Sequence, residues 1–187
     1  MASETVKLLG SWASPVVLRA RIAFNVKSVA YEFVEENFAA KSDLLLKCNP
    51  VYKKVPVIIH NQNPVCESLI IVQYIDEVWT SGPAIMPAHP YDRAIHLFWA
   101  TYIDDTFYGL IVTVRIKFVD EAKVPGLANW AQDFCSDDAV KDVMPSTEKL
   151  AEFAMKIFTH MKPQSFFFFF ENHETPILDT FNCLLEM

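Results

Sequence analysis

The stretch from Lys53 to Ser68, "KKVPVIIHNQNPVCES", limits what this chain can fold into more than any other. "VPVIIH" is a short β-branched run entered through a proline, and proline is tolerated where a strand starts or runs at a sheet edge. "NQNP" has the composition of a turn, and "VCES" reads as a second short strand. Two strands this close in sequence form a hairpin. An apolar helical pattern, "LIIVQYIDEVW", follows at once with Ser68 as its cap and Ile71, Ile75 and Trp79 on one face.

Upstream, "VKLLG" (Val6 to Gly10) is an apolar run closed by glycine. "SPVVLRARIAFNVK" then has helical spacing, with Ser14 at the N-cap and Pro15 at the first helical position. "VAYEFVEEN" alternates through Val29, Tyr31 and Phe33 as a strand does, and "KSDLLLKCNP" reads as a helix ended by Asn49 and Pro50. The order βαβ, helix, ββα is that of a thioredoxin-like half-domain, in which the parallel pair needs a crossover helix. "TSGPAIMPAHP", with three prolines and a glycine, then reads as a linker, and only helical patterns follow it. The last of these, "STEKLAEFAMKIFTHM", carries Ser146 as its cap. The fold class expected is therefore α/β plus all-α, with residues 1–80, 81–90 and 91–162 as thioredoxin-like domain, linker and helical domain. Residues 163–187 form an atypical tail whose five successive phenylalanines, Phe166 to Phe170, match no helical or strand period and are an aggregation hazard if exposed.

Composition removes several functions from consideration. At 187 residues, 52% hydrophobic and 21% charged, the chain is globular rather than disordered. No window nears the roughly twenty apolar residues of a membrane span, and "MASETVKLLG" lacks the pattern of a secretory signal. The cytosol is the expected location. A net charge of −7 argues against nucleic acid as the main partner. Cys48, Cys66, Cys135 and Cys183 form no CxxC pair, and the five histidines form no HExxH arrangement, so neither a metal nor a dithiol redox motif is expected. Reduced thiols suit a cytosolic protein.

"VKLLGSWASPVVLRARIAFNVKSVAYEFVEE", "KSDLLLKCNPVYKKVPVIIHNQNPVCESLIIVQYIDEVW" and "AHPYDRAIHLFWATYID" together resemble the amino-terminal half of a plant tau-class glutathione transferase. The resemblance covers about the first 105 residues. It implies that glutathione is a co-substrate, with no resident cofactor, and that its thiol must be ionised to attack. A free thiol has a pKa near about 8.5 and is mostly protonated at neutral pH. On sequence alone Ser14 reads as an ordinary N-cap. The resemblance makes it the catalytic serine of "SWASP", whose hydroxyl donates to the glutathione sulfur beside the positive end of a helix.

The same resemblance implies a cis bond at Pro56, with Val55 presenting its backbone to the cysteinyl part of glutathione as an added strand would. Glu67 takes the α-amino group, Ser68 and its helix N-terminus take the γ-glutamyl carboxylate, and Lys41 and Lys54 face the glycyl carboxylate. Trp12, Phe107 and Tyr108 are placed near the pocket for the electrophile. Val16 stands where phenylalanine is common after "SP" in this class.

In the second half, Asp120 to Phe158 resembles the far carboxy-terminal helices of the class. Only "DTFYGLIVTVRIKFV" separates Asp104 from Asp120, where the resemblance implies a block of several helices, so an internal deletion is expected. The function expected is a glutathione transferase acting on hydrophobic electrophiles in detoxification, paired as a homodimer. The alternative is a carrier that binds glutathione or hydrophobic ligands without turnover.

Overall fold

The computed structural model describes residues 5–113 and 122–160. Ten elements follow one another as β1 (Val6–Gly10), α1 (Pro15–Val26), β2 (Glu32–Glu35), α2 (Asp43–Cys48), β3 (Val57–His60), β4 (Asn63–Cys66), α3 (Ser68–Val78), α4 (Pro90–Thr113), α5 (Pro125–Ser136) and α6 (Thr147–His160). The strands form one sheet in the order β2-β1-β3-β4. β1 runs parallel to β2, β3 antiparallel to β1, and β4 antiparallel to β3. The βαβ, α, ββα order expected of the first half is present, with α1 as the crossover.

Strand alternation divides the core between the two faces of the sheet. Leu8 and Ile58 are register partners and point to the side where α1 supplies Val17, Ala20, Ala23 and Phe24 and α3 supplies Ile71 and Ile75. Leu9 and Val57, the next partners, point to the other side and meet Leu45 of α2. Ile71 and Ile75 are fully buried and Trp79 packs beside them, as their spacing predicts. Each such side chain contributes about 1.5–3 kcal/mol by leaving water. Gly10 closes β1 because a side chain there would run into Val17 and Phe33.

Three boundaries differ from those the sequence predicts. β2 starts at Glu32, so Val29 and Tyr31 lie before it. The hairpin turn is not "NQNP" but Asn61 and Gln62 alone, at φ 48° and 72°. Two successive positive φ values are the geometry of a two-residue hairpin turn, so Asn63 and Pro64 already belong to β4. Proline fits there because β4 is the sheet edge. The N-cap of α3 is Glu67 rather than Ser68, which is the first helical residue.

The linker is held to the first half by one carboxylate. Asp76 of α3 accepts the backbone N–H groups of Ile85 and Met86, both at 2.9 Å, and pairs with the buried Lys27 at 2.6 Å. Beyond the linker the packing is sparse. Among the side chains described past Pro90, Val140 and Val143, between α5 and α6, are the buried ones. Phe98 (58% exposed), Trp99 (53%) and Trp130 (58%) face solvent, and α5 buries none of its side chains. Ser146 does cap α6, accepting the Lys149 N–H at 3.3 Å. Phe166 to Phe170 lie outside the described residues. Among the described residues, no helix is long and apolar enough to cross a membrane.

This contrast carries a prediction. Backbone N–H groups of β1, β3 and α3 should exchange with deuterium far more slowly than those of α5, because opening the former exposes a core and opening the latter exposes none. Segment-resolved hydrogen exchange is the check. Equal, strong protection of α5 would mean that the shortened helical half closes a core of its own.

Candidate functional site

Strand directions bring distant stretches of sequence to one end of the sheet. Gly10 at the end of β1 lies beside Glu35 at the end of β2, and Leu9 pairs with Val57 at the start of β3. Val57 in turn pairs with Cys66 at the end of β4. The segments that leave or enter at this end carry Trp12 and Ser14, Lys41, Lys54 and Val55, and Glu67 and Ser68. These residues come from four separate stretches of sequence, and the topology brings all four stretches to one end of the sheet.

Ser14 occupies the N-cap position of α1 and is buried, at 8% exposure. The cap bonds come from its backbone: its carbonyl accepts the N–H groups of Val17 and Leu18 at 3.1 and 3.0 Å. Its hydroxyl makes no capping bond. A serine that merely capped would spend its side-chain oxygen on the second or third N–H of the helix. Here that oxygen stands beside the positive end of α1 with its donor hydrogen uncommitted to the helix.

Glu67 is exposed and has φ 73°, ψ 120°, a left-handed conformation that costs a non-glycine residue about 1–3 kcal/mol and persists only where the surroundings impose it. Its carboxylate makes no capping bond. Ser68 is buried, and its hydroxyl accepts Nη1 of Arg19 at 3.2 Å. Arg19, on α1, also makes a two-pronged contact with Asp104 of α4, with Nη1 at 2.7 Å from Oδ2 and Nη2 on Oδ1. The planar guanidinium suits this fork. Sequence reasoning missed Arg19 as a member of the site, and its only signal was one of two arginines, Arg19 and Arg21, within an apolar helical pattern.

Val55 precedes Pro56 through a cis peptide bond, the isomer the resemblance implies. The loop leading to it is organised by the buried Asn49, whose amide donates to the Lys54 carbonyl at 3.0 Å and accepts the Tyr52 N–H at 3.1 Å. Lys41 and Lys54 are exposed. Lys41 immediately precedes Ser42, the cap of α2, which donates to the buried Glu36 carboxylate at 2.6 Å and accepts the Leu45 N–H at 3.0 Å. Glu36 and Asn49 thus fix the backbones that carry the two lysines.

Trp12 packs edge-on against Phe153 of α6, with centroids 5.2 Å apart, and Lys149 Nζ sits 4.2 Å above its ring. It lines a cleft with Arg21, Phe33, Met144 and Lys149. Phe107 and Tyr108 fall within α4, but their side chains lie outside the described residues. Cys66, just before Glu67, has a thiol pushed up by burial, with the Glu67 carboxylate and Cys48 adding to the shift. Among the described residues no cluster of His, Cys, Asp or Glu is suited to hold a metal ion.

Residues 4–77 match the family model described as glutathione S-transferase, N-terminal domain. Glutathione S-transferase U17 of Arabidopsis thaliana is 43% identical over 229 aligned positions, which cover 88% of this chain and all of the relative. The chain belongs to the glutathione S-transferase family. Its class is tau: the tau-class glutathione S-transferase of mango, Mangifera indica, superposes with a TM-score of 0.75 at 47% identity, covering 81% of this chain and 97% of that one. Rice GST1, solved in complex with glutathione, superposes with a TM-score of 0.80 at 26% identity over 87% of this chain and all of that one. The Arabidopsis alignment is longer than the 187 residues of this chain yet uses only part of them, so the transferase of Arabidopsis carries residues with no counterpart here. That is what an internal deletion predicts.

Proposed function

We propose that this protein is a glutathione transferase that conjugates the thiol of reduced glutathione to hydrophobic electrophiles, with Ser14 stabilising the thiolate. The observation that carries the reading is the buried Ser14 hydroxyl, left out of helix capping at the positive end of α1 and at the end of the sheet where Pro56 and Glu67 also lie. Glutathione lies across that end as a co-substrate, with no resident cofactor. The Val55 backbone meets its cysteinyl part, Glu67 takes its α-amino group, and Ser68 takes its γ-glutamyl carboxylate. Lys41 and Lys54 supply positive charge for the glycyl carboxylate. The Ser14 O–H donates to sulfur, the proton leaves to solvent, and the thiolate attacks the electrophile: a C–S bond forms as the leaving group departs. Arg19, tied to Asp104, keeps the Ser68 hydroxyl in place. Trp12, with Phe107 and Tyr108, contributes to the electrophile side.

A role in detoxification, a cytosolic location and a homodimer belong to the same proposal and rest on the tau-class membership. The rival reading, a non-catalytic carrier of glutathione or hydrophobic ligands, gains nothing from the relatives, which are named as transferases. Turnover by purified protein with glutathione and a model chlorinated aromatic separates the two, and binding without turnover would establish the carrier.

Contacts to the γ-glutamyl end exist in ground and transition states alike, so removing them weakens binding rather than the chemical step. Glu67→Ala and Ser68→Ala should each weaken glutathione binding about tenfold, the loss of one charge-assisted hydrogen bond. Calorimetry is the check. Unchanged affinity in both variants would mean that glutathione lies elsewhere.

A further inference from the structure

We propose that Cys48 and Cys66 are a redox pair. Oxidised by a low-molecular-mass disulfide of the glutathione disulfide class, they close to an intramolecular disulfide that shuts the glutathione site. This regulation rests on the function proposed above.

The two thiols are free and half-buried, and both pack against Leu9, Leu45 and Val57 on the α2 face of the sheet. The Cys66 thiol donates to the Cys48 carbonyl at 3.6 Å. Standard bond lengths then put Cα of Cys48 within about 6 Å of Sγ of Cys66. A disulfide needs Cα separations of about 4.4–6.8 Å, so forming one from this contact requires the Cys48 side chain to rotate and the end of α2 to draw in towards the end of β4.

The exchange balances whichever thiol attacks first, and with Cys48 first it has two steps. The Cys48 thiolate attacks one sulfur of the small disulfide, an S–S bond forms, and one glutathione thiolate leaves. The Cys66 thiolate then attacks Sγ of Cys48, closing the protein disulfide and expelling the second glutathione thiolate. Two protein thiols are oxidised and one small disulfide is reduced, and the two protons lost are taken up by the two departing thiolates.

Each cysteine adjoins a part of the site. Cys48 precedes Asn49, which holds the loop before Val55 through Lys54 and Tyr52. Cys66 precedes Glu67, already held in a left-handed conformation. Drawing the two sulfurs together pulls on both loops at once, and the end of the sheet that receives glutathione is distorted.

The test uses the full chain with Cys135→Ser and Cys183→Ser, treated with glutathione disulfide or, separately, with hydroxyethyl disulfide. The expected product has lost two hydrogens, yields a Cys48–Cys66 peptide in non-reducing maps and reverts with a dithiol. Its glutathione affinity should be about tenfold lower, since a locked site is rarely competent, whereas added Cys48→Ser should keep affinity through the same treatment. A stable mixed disulfide that never proceeds to the cross-link overturns the pair. A cross-link that leaves affinity unchanged overturns the switch. Failure of the reduced protein to bind glutathione overturns the proposed function and the switch with it, while the hydroxyethyl disulfide map still decides whether the pair forms.

Discussion

Asp76→Ala should destabilise the protein by about 3–5 kcal/mol, the cost of removing one partner from a buried ion pair. Lys27 is left behind with its ammonium at 2% exposure and no carboxylate, and the N–H groups of Ile85 and Met86 lose their acceptor. Against a whole stability of about 5–15 kcal/mol that loss is large, and a shift in the denaturant midpoint would show it. The double replacement Lys27→Met with Asp76→Leu should recover part of the loss, because the orphaned charge goes too, but not the part that belongs to the two N–H groups.

The same carboxylate gives a pH dependence. Partial burial alone would raise its pKa, but hydrogen bonds from Ile85, Lys27 and Met86, with the Lys27 charge, outweigh burial and hold it below the usual 3.8. A carboxylate with a lowered folded pKa stabilises the protein above its unfolded value, and that contribution disappears as pH falls through the lower folded value. Stability lost between wild type and Asp76→Ala should therefore shrink only in acid, below about pH 4.

Ser14→Ala should lower kcat/KM about 10- to 100-fold while glutathione affinity changes by less than about threefold. The range corresponds to one hydrogen bond to a charged group, about 1.5–3 kcal/mol. The loss should fall mainly on the chemical step, because the hydroxyl acts on sulfur while the tripeptide is held by groups further along the site. The backbone cap survives, since Val17 and Leu18 bond to the Ser14 carbonyl, so stability should change little. Turnover measured beside calorimetric affinity is the check. Equal activity would remove Ser14 from the mechanism, and a collapse of affinity would make it a binding residue.

The first half was legible because its signals are local. An apolar run closed by Gly10 marks β1, a β-branched run entered through Pro56 marks β3, Pro15 and Ser14 mark the start of α1, and Ile71 and Ile75 show the buried face of α3 by their spacing. The positions of Ser14, Glu67 and Ser68 at strand-to-helix turns followed from the same punctuation, but their roles came from resemblance. The hairpin turn was misplaced because Pro64 looks like a turn residue, and only the pairing of β4 at the sheet edge makes it a strand residue. Arg19 and Asp104 stand 85 residues apart, and no local pattern announces such a pair. The buried roles of Glu36 and Asn49 were not legible for a related reason: a buried carboxylate and a buried amide are specified by the hydrogen bonds that satisfy them, which exist only once β2, α2 and the loop before Val55 have met.

The thinness of the helical half has a physical reading. Phe98, Trp99 and Tyr102 pack on one another along α4, with Phe98 stacked on Tyr102 and Trp99 edge-on to both, while remaining 58%, 53% and 41% exposed. They have the composition of a helix surface that packs against other helices, and the Arabidopsis relative has residues with no counterpart in this chain.

The most direct test of the account is the ionisation of glutathione on the protein, followed by the ultraviolet absorbance of its thiolate as pH is raised. A site built around a donating Ser14 hydroxyl and the positive end of α1 predicts that bound glutathione ionises well below its free thiol value of about 8.5, and that Ser14→Ala returns it towards that value. A bound thiol that titrates as free glutathione does, in wild type and variant alike, would contradict it.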